Sequence, residues 1–169
     1  MKVTEVRIKL NQTAGRLKAY CSVTFDDVFV IRELKLIDGP NGYFLAMPSK
    51  KLEDRCPHCS AKNQVRSHYC NWCGKRLPEN RASSDMQGRL RLYADVAHPI
   101  KMEFRQMLHD VVMAAYRREK ELAETMGENY QPKELWRIEE LSNYIRLEEI
   151  GKPSDEYLLD EDEKENDSL

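Results

Sequence analysis

Two C-x-x-C pairs constrain the fold of this chain more than any other feature of its sequence. Cys56 and Cys59 form the first pair, Cys70 and Cys73 form the second, and ten residues separate the pairs. Each C-x-x-C turn brings two thiolates to one side of a tight knuckle, and two facing knuckles supply four sulfur ligands at the corners of a tetrahedron. Because Zn²⁺ prefers this ligand set, the spacing predicts a structural zinc ribbon held by these four cysteines.

Other roles for these cysteines fit the sequence less well. The C-P-H-C motif also resembles that of a thiol oxidoreductase, but no apolar strand precedes Cys56 and the second pair has no part in that chemistry. Four cysteines close the metal site, which argues against a catalytic zinc with an open position and against His58 and His68 as ligands. We expect both histidines at the surface. The fifth cysteine, Cys21, lies on the apolar side of a predicted strand and is expected to be buried as a small hydrophobic residue.

Four further residues of the ribbon have predicted roles. Ser60 and Gly74 follow the second cysteine of each pair, and small residues there are expected to let backbone N–H groups approach the sulfurs. Trp72 is expected to close the small core of the ribbon, since small metal domains need such a plug. In the alternative hypothesis, Tyr69 and Trp72 stack on unpaired bases.

The first 47 residues alternate between apolar and polar positions, the pattern of half-buried strands. The alternation is clearest at Val6, Ile8 and Leu10, and the residues between them are charged. Asp26-Asp27 and residues 38–42 supply turn formers. The pattern predicts a four-stranded antiparallel meander with strands at 3–10, 17–25, 28–37 and 43–47.

Helices are predicted for the second half of the chain. Apolar residues recur at spacings of three and four over 100–124, after Pro99. A second helix is predicted from Pro132 to Ile150, with Gly151 as its C-terminal cap. Residues 152–169 are dominated by acidic side chains, and this composition predicts a disordered tail. The predicted fold class is therefore α+β: a small antiparallel β-sheet followed by C-terminal helices, with an inserted zinc ribbon.

The charge of the chain is unevenly distributed. The formal net charge is −2, which taken alone argues against a nucleic-acid partner. However, residues 1–118 hold 21 basic and 12 acidic residues, a net of +9, while residues 119–169 hold 6 basic and 17 acidic residues, a net of −11. Such asymmetry indicates a body that binds polyanions and carries an acidic tail. No apolar stretch is long enough for a membrane span or a signal peptide, so we expect a cytoplasmic protein.

Five segments carry a family likeness, and they follow one another in order along the chain. They are VTEVRI at 3–8, GRLKA at 15–19, LIDGPNG at 36–42, AMPSKK at 46–51 and DVAHPI at 95–100. Together they resemble the SpoVG family, and the likeness covers residues 1–51 and 95–118. It implies a small antiparallel sheet with a C-terminal helix, assembled as a homodimer. It also implies a bacterial regulator of septation and cell division that binds DNA and RNA.

The chain departs from the family pattern in two places. The family joins its M-P-S-K and A-H-P segments by a short loop, whereas here residues 52–94 fill that interval and contain the ribbon. The C-terminus is also longer. The expected organisation is a SpoVG-like core at 1–51 and 95–125, a zinc ribbon with linkers at 52–94, a helical extension at 126–151 and the acidic tail at 152–169.

Two function classes compete, and both are non-enzymatic. The first is a regulator that binds DNA or RNA, because residues 50–91 hold ten basic and four acidic residues. The candidate contacts are Lys50, Lys51, Arg55, Lys62, Arg66, Lys75, Arg76, Arg89 and Arg91. The second class is an adaptor whose ribbon and C-terminal helix dock protein partners. The acidic tail either competes with nucleic acid for the basic body or serves solubility. No nucleophile, base and pocket converge in the sequence, so no catalytic residues are predicted.

Overall fold

A computed structural model describes residues 1–133 and 135–141 of the chain. They form two compact units, one made of Met1–Ala46 together with the chain from Pro99 onward, the other of Met47–His98. The strands are β1 Val3–Leu10, β2 Leu17–Phe25, β3 Phe29–Gly39, β4 Gly42–Ala46, β5 Ser49–Lys51, β6 Glu53–Arg55, β7 Lys62–Gln64, β8 Tyr93–Asp95 and β9 Trp136–Arg137. The helices are α1 Met102–Met126, a 3₁₀ turn at Gly127–Asn129 and α2 Ile138–Leu141.

The first unit is built on an antiparallel sheet with the strand order β4-β3-β2-β1-β9. Its first four strands are the predicted meander, which the structure confirms. The turn from β2 to β3 passes through Asp26 and Asp27, both with positive φ (49° and 56°), and the N–H of Val28 donates to the carbonyl of Phe25. Two successive residues with positive φ match the right-handed twist of the flanking strands, so the hairpin closes without splaying them.

One face of this sheet packs against α1. The predicted helix over 100–124 is present with its bounds shifted by two residues. Fully buried side chains of the sheet and the helix form the core: Val6, Val23, Phe25, Leu34, Leu36, Leu108, Val111 and Val112. Cys21 is a buried free thiol in this core, as expected. Within the described residues, no helix combines the length and the apolar character that crossing a membrane requires.

The prediction of a helix from Pro132 is wrong at the described residues before Ile138, which are 132–133 and 135–137. Trp136–Arg137 form β9 instead, which pairs antiparallel with β1 so that Trp136 lies opposite Val6. Trp136 is buried, with 4% of its surface exposed. A helix is found at Ile138–Leu141; the remainder of the predicted helix and the acidic tail lie outside the described residues. Tertiary burial of one indole ring has overridden the apolar periodicity from which the helix was predicted.

The second unit has little regular structure. It contains two short antiparallel pairs, β5 with β8 and β6 with β7. Because β5 and β8 pair within it, this unit runs from Met47 to His98, a few residues beyond the predicted bounds of 52–94. All four cysteines of the C-x-x-C pairs lie in this unit.

Candidate metal centre

The first knuckle begins where β6 ends. The N–H of Cys56 donates to the carbonyl of Ala61 at 2.9 Å, and the N–H of Ser60 donates back to the carbonyl of Cys56 at 2.9 Å. The N–H of His58 points at the Sγ of Cys56, 3.4 Å away. Ser60 adopts a positive φ of 60°, which lets the chain reverse direction directly after Cys59.

The second knuckle repeats this bonding pattern contact for contact. The N–H of Cys70 donates to the carbonyl of Lys75 at 2.9 Å, the N–H of Gly74 donates to the carbonyl of Cys70 at 3.0 Å, and the N–H of Trp72 points at the Sγ of Cys70, 3.4 Å away. Gly74 has a φ of 69°.

Backbone N–H groups approach the sulfurs, as predicted, and the small residues after each pair contribute through their backbone conformation. The N–H groups of Ser60 and Gly74 donate to cysteine carbonyls. The N–H groups that approach sulfur belong to neighbouring residues: His58, Ala61, Trp72 and Cys73. Ser60 and Gly74 contribute their left-handed backbone conformation, which glycine adopts at least cost.

The four sulfur atoms converge on one point. The Sγ atoms of Cys56 and Cys73 are 3.8 Å apart, those of Cys59 and Cys70 are 3.6 Å apart, and all four lie within 4.8 Å of one another. Zn–S bonds of about 2.3 Å in a regular tetrahedron place the sulfurs about 3.8 Å apart. The observed separations match this value, so the cluster has the right size for a metal ion. The four cysteines are free thiols and form no disulfide bond.

A buried amide supports the cluster, and sequence reasoning missed it. Asn63 is 1% exposed, and its Nδ2 donates to the Sγ of Cys70 at 3.4 Å and to the carbonyl of Ala61 at 2.9 Å. Its Oδ1 accepts the N–H of Asn71 at 2.7 Å. One side chain thereby connects β7 to both knuckles. Asparagine in a polar loop gives no local signal of this role.

The hydrogen bonds around the sulfurs separate their pKa values. The N–H groups of Cys73 and Trp72, together with the Asn63 amide, outweigh desolvation and lower the pKa of Cys70 to about 6. At Cys59 the N–H of Ala61 favours the thiolate, but desolvation and the neighbouring thiols outweigh it and raise the pKa to about 12. The negative charge of one thiolate opposes ionisation of the next thiol. A bound divalent cation would offset this repulsion and favour all four thiolates.

The prediction that Trp72 closes the ribbon core is wrong. Its side chain is 84% exposed, and the core consists of Cys56, Cys70 and Leu77. Leu77 is 3% exposed and fills the space that a plug must fill. Tyr69, just before the second knuckle, is also exposed, at 62%, and pairs across an antiparallel bridge with Arg76.

Eight of the nine predicted nucleic-acid contacts are exposed. They are Lys50 and Lys51 on β5, Arg55 on β6, Lys62 on β7, and Arg66, Lys75, Arg76 and Arg91 in connecting segments. Arg55 and Lys62 lie directly opposite each other across the β6–β7 pair. The structure thus brings these two together and places Lys75 and Arg76 at the end of the second knuckle.

Four arginines of this unit have partners in the structure. At the surface, Arg76 pairs with Glu79 at 2.7 Å and Arg55 donates to the carbonyl of Ser60 at 3.3 Å. The other two are bound more deeply, within loops. The half-buried Arg89 donates from Nε to Oδ2 of Asp85 at 2.8 Å, so its guanidinium is bound within a turn. Arg81 donates from Nη2 to the carbonyls of Gln64 at 2.8 Å and Ser67 at 2.9 Å. Both arginines hold loops of the ribbon unit, which makes them poorer phosphate ligands than the exposed eight.

The chain combines an antiparallel sheet, covered on one face by a helix, with a four-cysteine ribbon. It is therefore an α+β protein with a candidate metal centre. The SpoVG family model matches residues 1–118, and the chain belongs to the SpoVG family. This confirms the resemblance read from its motifs. A protein named septation protein SpoVG from Staphylococcus carnosus (strain TM300) is 36% identical over 116 residues, which are 69% of this chain and 75% of the relative. A protein of the same name from Clostridioides difficile (strain 630) is 34% identical over 116 residues, which are 87% of that relative's length.

Proposed function

We propose that this chain is a SpoVG-type bacterial regulator that binds nucleic acid through a zinc-stabilised ribbon. The observation that carries the proposal is the exposure of Trp72, 84%, on a knuckle that ends in the exposed cations Lys75 and Arg76. A large aromatic side chain that a small domain leaves in solvent is available to a ligand, and stacking on a base is worth about 1–3 kcal/mol.

Zn²⁺ is the metal that this ligand set fits best. Four thiols with sulfur separations of 3.6 and 3.8 Å suit a closed tetrahedral site, which holds a fold together and leaves no position for substrate. The N–H groups and the Asn63 amide aimed at sulfur favour the thiolate forms that bind metal. When bound, the ion would cross-link the two knuckles.

The basic side chains of the ribbon supply affinity that does not depend on sequence. Lys and Arg release condensed counterions when they contact phosphates, so binding weakens steeply as salt rises. Trp72 and Tyr69 add a preference for unpaired bases, since the faces of a base are covered inside a duplex. We expect the septation role in the relatives' name to extend to this chain, in the cytoplasm, where thiols stay reduced.

Fluorescence anisotropy of labelled single-stranded DNA and RNA, titrated with the zinc-loaded chain, tests this function. We expect log K to fall linearly with log salt, and Trp72→Ala to weaken binding by about 5-fold or more. Tyr93→Ala, which alters an exposed aromatic residue on β8, is the matched control. A flat salt dependence would contradict the electrostatic account.

The protein-interaction adaptor is the second candidate, because an exposed tryptophan also suits a protein interface. Absence of binding to mixed DNA and RNA oligonucleotides at moderate salt would favour it. A homodimer fits either function and doubles the number of phosphate contacts in the first. Sedimentation of the zinc-loaded chain measures that assembly directly.

A further inference from the structure

The sheet face that α1 leaves uncovered carries a row of basic and aromatic side chains. Lys9 on β1 pairs with Tyr20 on β2, and Tyr20 pairs with Lys35 on β3, so these three residues lie side by side across the strands. All three are exposed, Tyr20 at 45%. In the adjacent row Arg7, also exposed, lies opposite Ser22. Alternate residues of the same strands are buried beneath them, so this row faces away from the core.

A groove of about 950 Å³ runs along this face. Its lining includes Arg7, Lys9, Tyr20, Phe29, Arg32 and Lys133. Phe29 is 54% exposed and adds a second aromatic surface to that of Tyr20.

The positive charges of this face are only partly compensated. Asp27 and Glu33 also line the groove, and Lys133 is bound to Glu140 at 2.7 Å. Within residues 1–133 and 135–141, Arg7, Lys9 and Lys35 form no ion pair, whereas Lys18 on the same sheet pairs with Asp38 at 3.3 Å. Uncompensated lysines on both sides of an exposed ring complement a ligand with alternating anionic and aromatic groups.

We propose that this face is a second binding site, and that its ligand is single-stranded nucleic acid. Tyr20 stacks on an unpaired base, while Lys9 and Lys35 on either side bind the flanking phosphates. A duplex is excluded from this mode, since its base faces are already stacked. The inference goes beyond the ribbon proposal because its residues belong to the other compact unit and need no metal.

Residue-resolved NMR of the full zinc-loaded chain tests the two sites separately. Short oligo-uridine, oligo-thymidine and a duplex of matched length are titrated into ¹⁵N-labelled protein. We expect the amides of residues 7, 9, 20 and 35 to shift with the single strands and not with the duplex. The uridine and thymidine arms show whether RNA or DNA is preferred.

Two variants assign the contacts, and a third serves as their control. Tyr20→Leu is expected to weaken binding at the sheet by about 5-fold or more. Lys9→Ala combined with Lys35→Ala is expected to reduce the slope of log K against log salt by about 1.4, at about 0.7 per phosphate contact. Lys120→Ala, on the exposed surface of α1, controls for net charge.

The outcomes separate the two proposals. Shifts at the ribbon alone would overturn the sheet site and leave the ribbon function standing, and shifts at the sheet alone would do the reverse. Shifts at neither site would overturn both. A folded Tyr20→Leu variant with undiminished affinity, or equal occupancy of the face by polyphosphate, would overturn the stacking role of Tyr20.

Discussion

The indole Nε1 of Trp136 donates a hydrogen bond of 2.7 Å to the Oε2 of Glu119, and both side chains are buried. The other carboxylate oxygen accepts the hydroxyl of Tyr130 at 2.6 Å and the N–H of Lys133 at 2.9 Å. Three donors from one segment thus meet a single carboxylate on α1. A buried charge is tolerated when it is hydrogen-bonded in this way, and the contact holds β9 in place against β1.

Replacing this carboxylate should destabilise the first unit. In Glu119→Gln the amide nitrogen faces a donor, so at least one buried group loses its partner, at a cost of about 1–3 kcal/mol in the free energy of unfolding. Urea denaturation measures the loss. Glu124→Gln, on the exposed surface of α1, is the matched control and should stay within about 0.5 kcal/mol of the parent. A Glu119→Gln variant as stable as this control would show that the three hydrogen bonds contribute little.

Stability should decline at alkaline pH. Desolvation and the hydrogen bond to Glu119 raise the pKa of Tyr130, and desolvation with the nearby Tyr43 raises that of Tyr116 to about 12. Because these folded-state pKa values exceed the unfolded value of about 10, the contribution is fully present below pH 10 and is lost as pH rises through the folded values. Unfolding free energies measured from pH 8 upward test this. Tyr130→Phe should flatten the decline, and an unchanged slope in that variant would contradict the assignment.

Metal affinity should rise with pH. The pKa of Cys70 is lowered to about 6, so this residue supplies a thiolate near neutrality, whereas Cys59, with a pKa of about 12, must lose a proton on binding. Zinc uptake therefore releases protons, and acid favours release of the ion. Competition with a chromogenic chelator between pH 5 and 8 measures the dependence. Affinity that does not change across this range would mean that the thiols are already ionised without metal.

Introducing a glycine in the first knuckle and removing the glycine from the second should change the stability of the ribbon in opposite directions. Ser60 adopts a φ of 60° at a cost that glycine avoids, so Ser60→Gly should stabilise the zinc-loaded ribbon by about 0.5–1 kcal/mol. Gly74→Ala should destabilise it by about 1–2 kcal/mol, although the added Cβ would meet no atom within 4 Å. Thermal unfolding of the zinc-loaded variants tests both signs. Equal effects at the two positions would refute the repeated knuckle geometry.

Thiol labelling should divide the five cysteines into two groups. Burial raises the pKa of Cys21 to about 12, so its thiolate is scarce near neutral pH. Chelation removes the ion that would hold the two knuckles together and opens the sulfur cluster, so we expect a thiol reagent to modify Cys56, Cys59, Cys70 and Cys73. Cys21, 3% exposed in the core of the first unit, should be spared until that unit unfolds. Mass spectrometry of the labelled chain counts the sites. Labelling of Cys21 together with the others would mean that loss of the ribbon also opens the sheet.

Features carried by local spacing were predictable from the sequence. The C-x-x-C pairs led to the sulfur cluster, and the alternation of apolar residues led to the four-strand meander, because both depend on near neighbours in the chain. The roles of Asn63, Trp72 and Glu119 were not predictable. Each depends on which distant segment packs against it, and neither residue type nor spacing records that. The strand at Trp136 was missed for the same reason.

The pairing of β9 with β1 has a consequence for assembly. An exposed strand edge is where a second polypeptide can extend a sheet. At Glu5 and Val6 that position is already taken by Arg137 and Trp136 of the same chain, and the ion pair between Arg137 and Glu5 at 3.2 Å reinforces it. A homodimer that continued the sheet across two subunits at this edge would first have to displace the chain's own strand. Strand addition is therefore blocked at these two positions of β1, whereas β4, at the opposite edge of the described sheet, pairs with β3 alone among the described strands of that sheet.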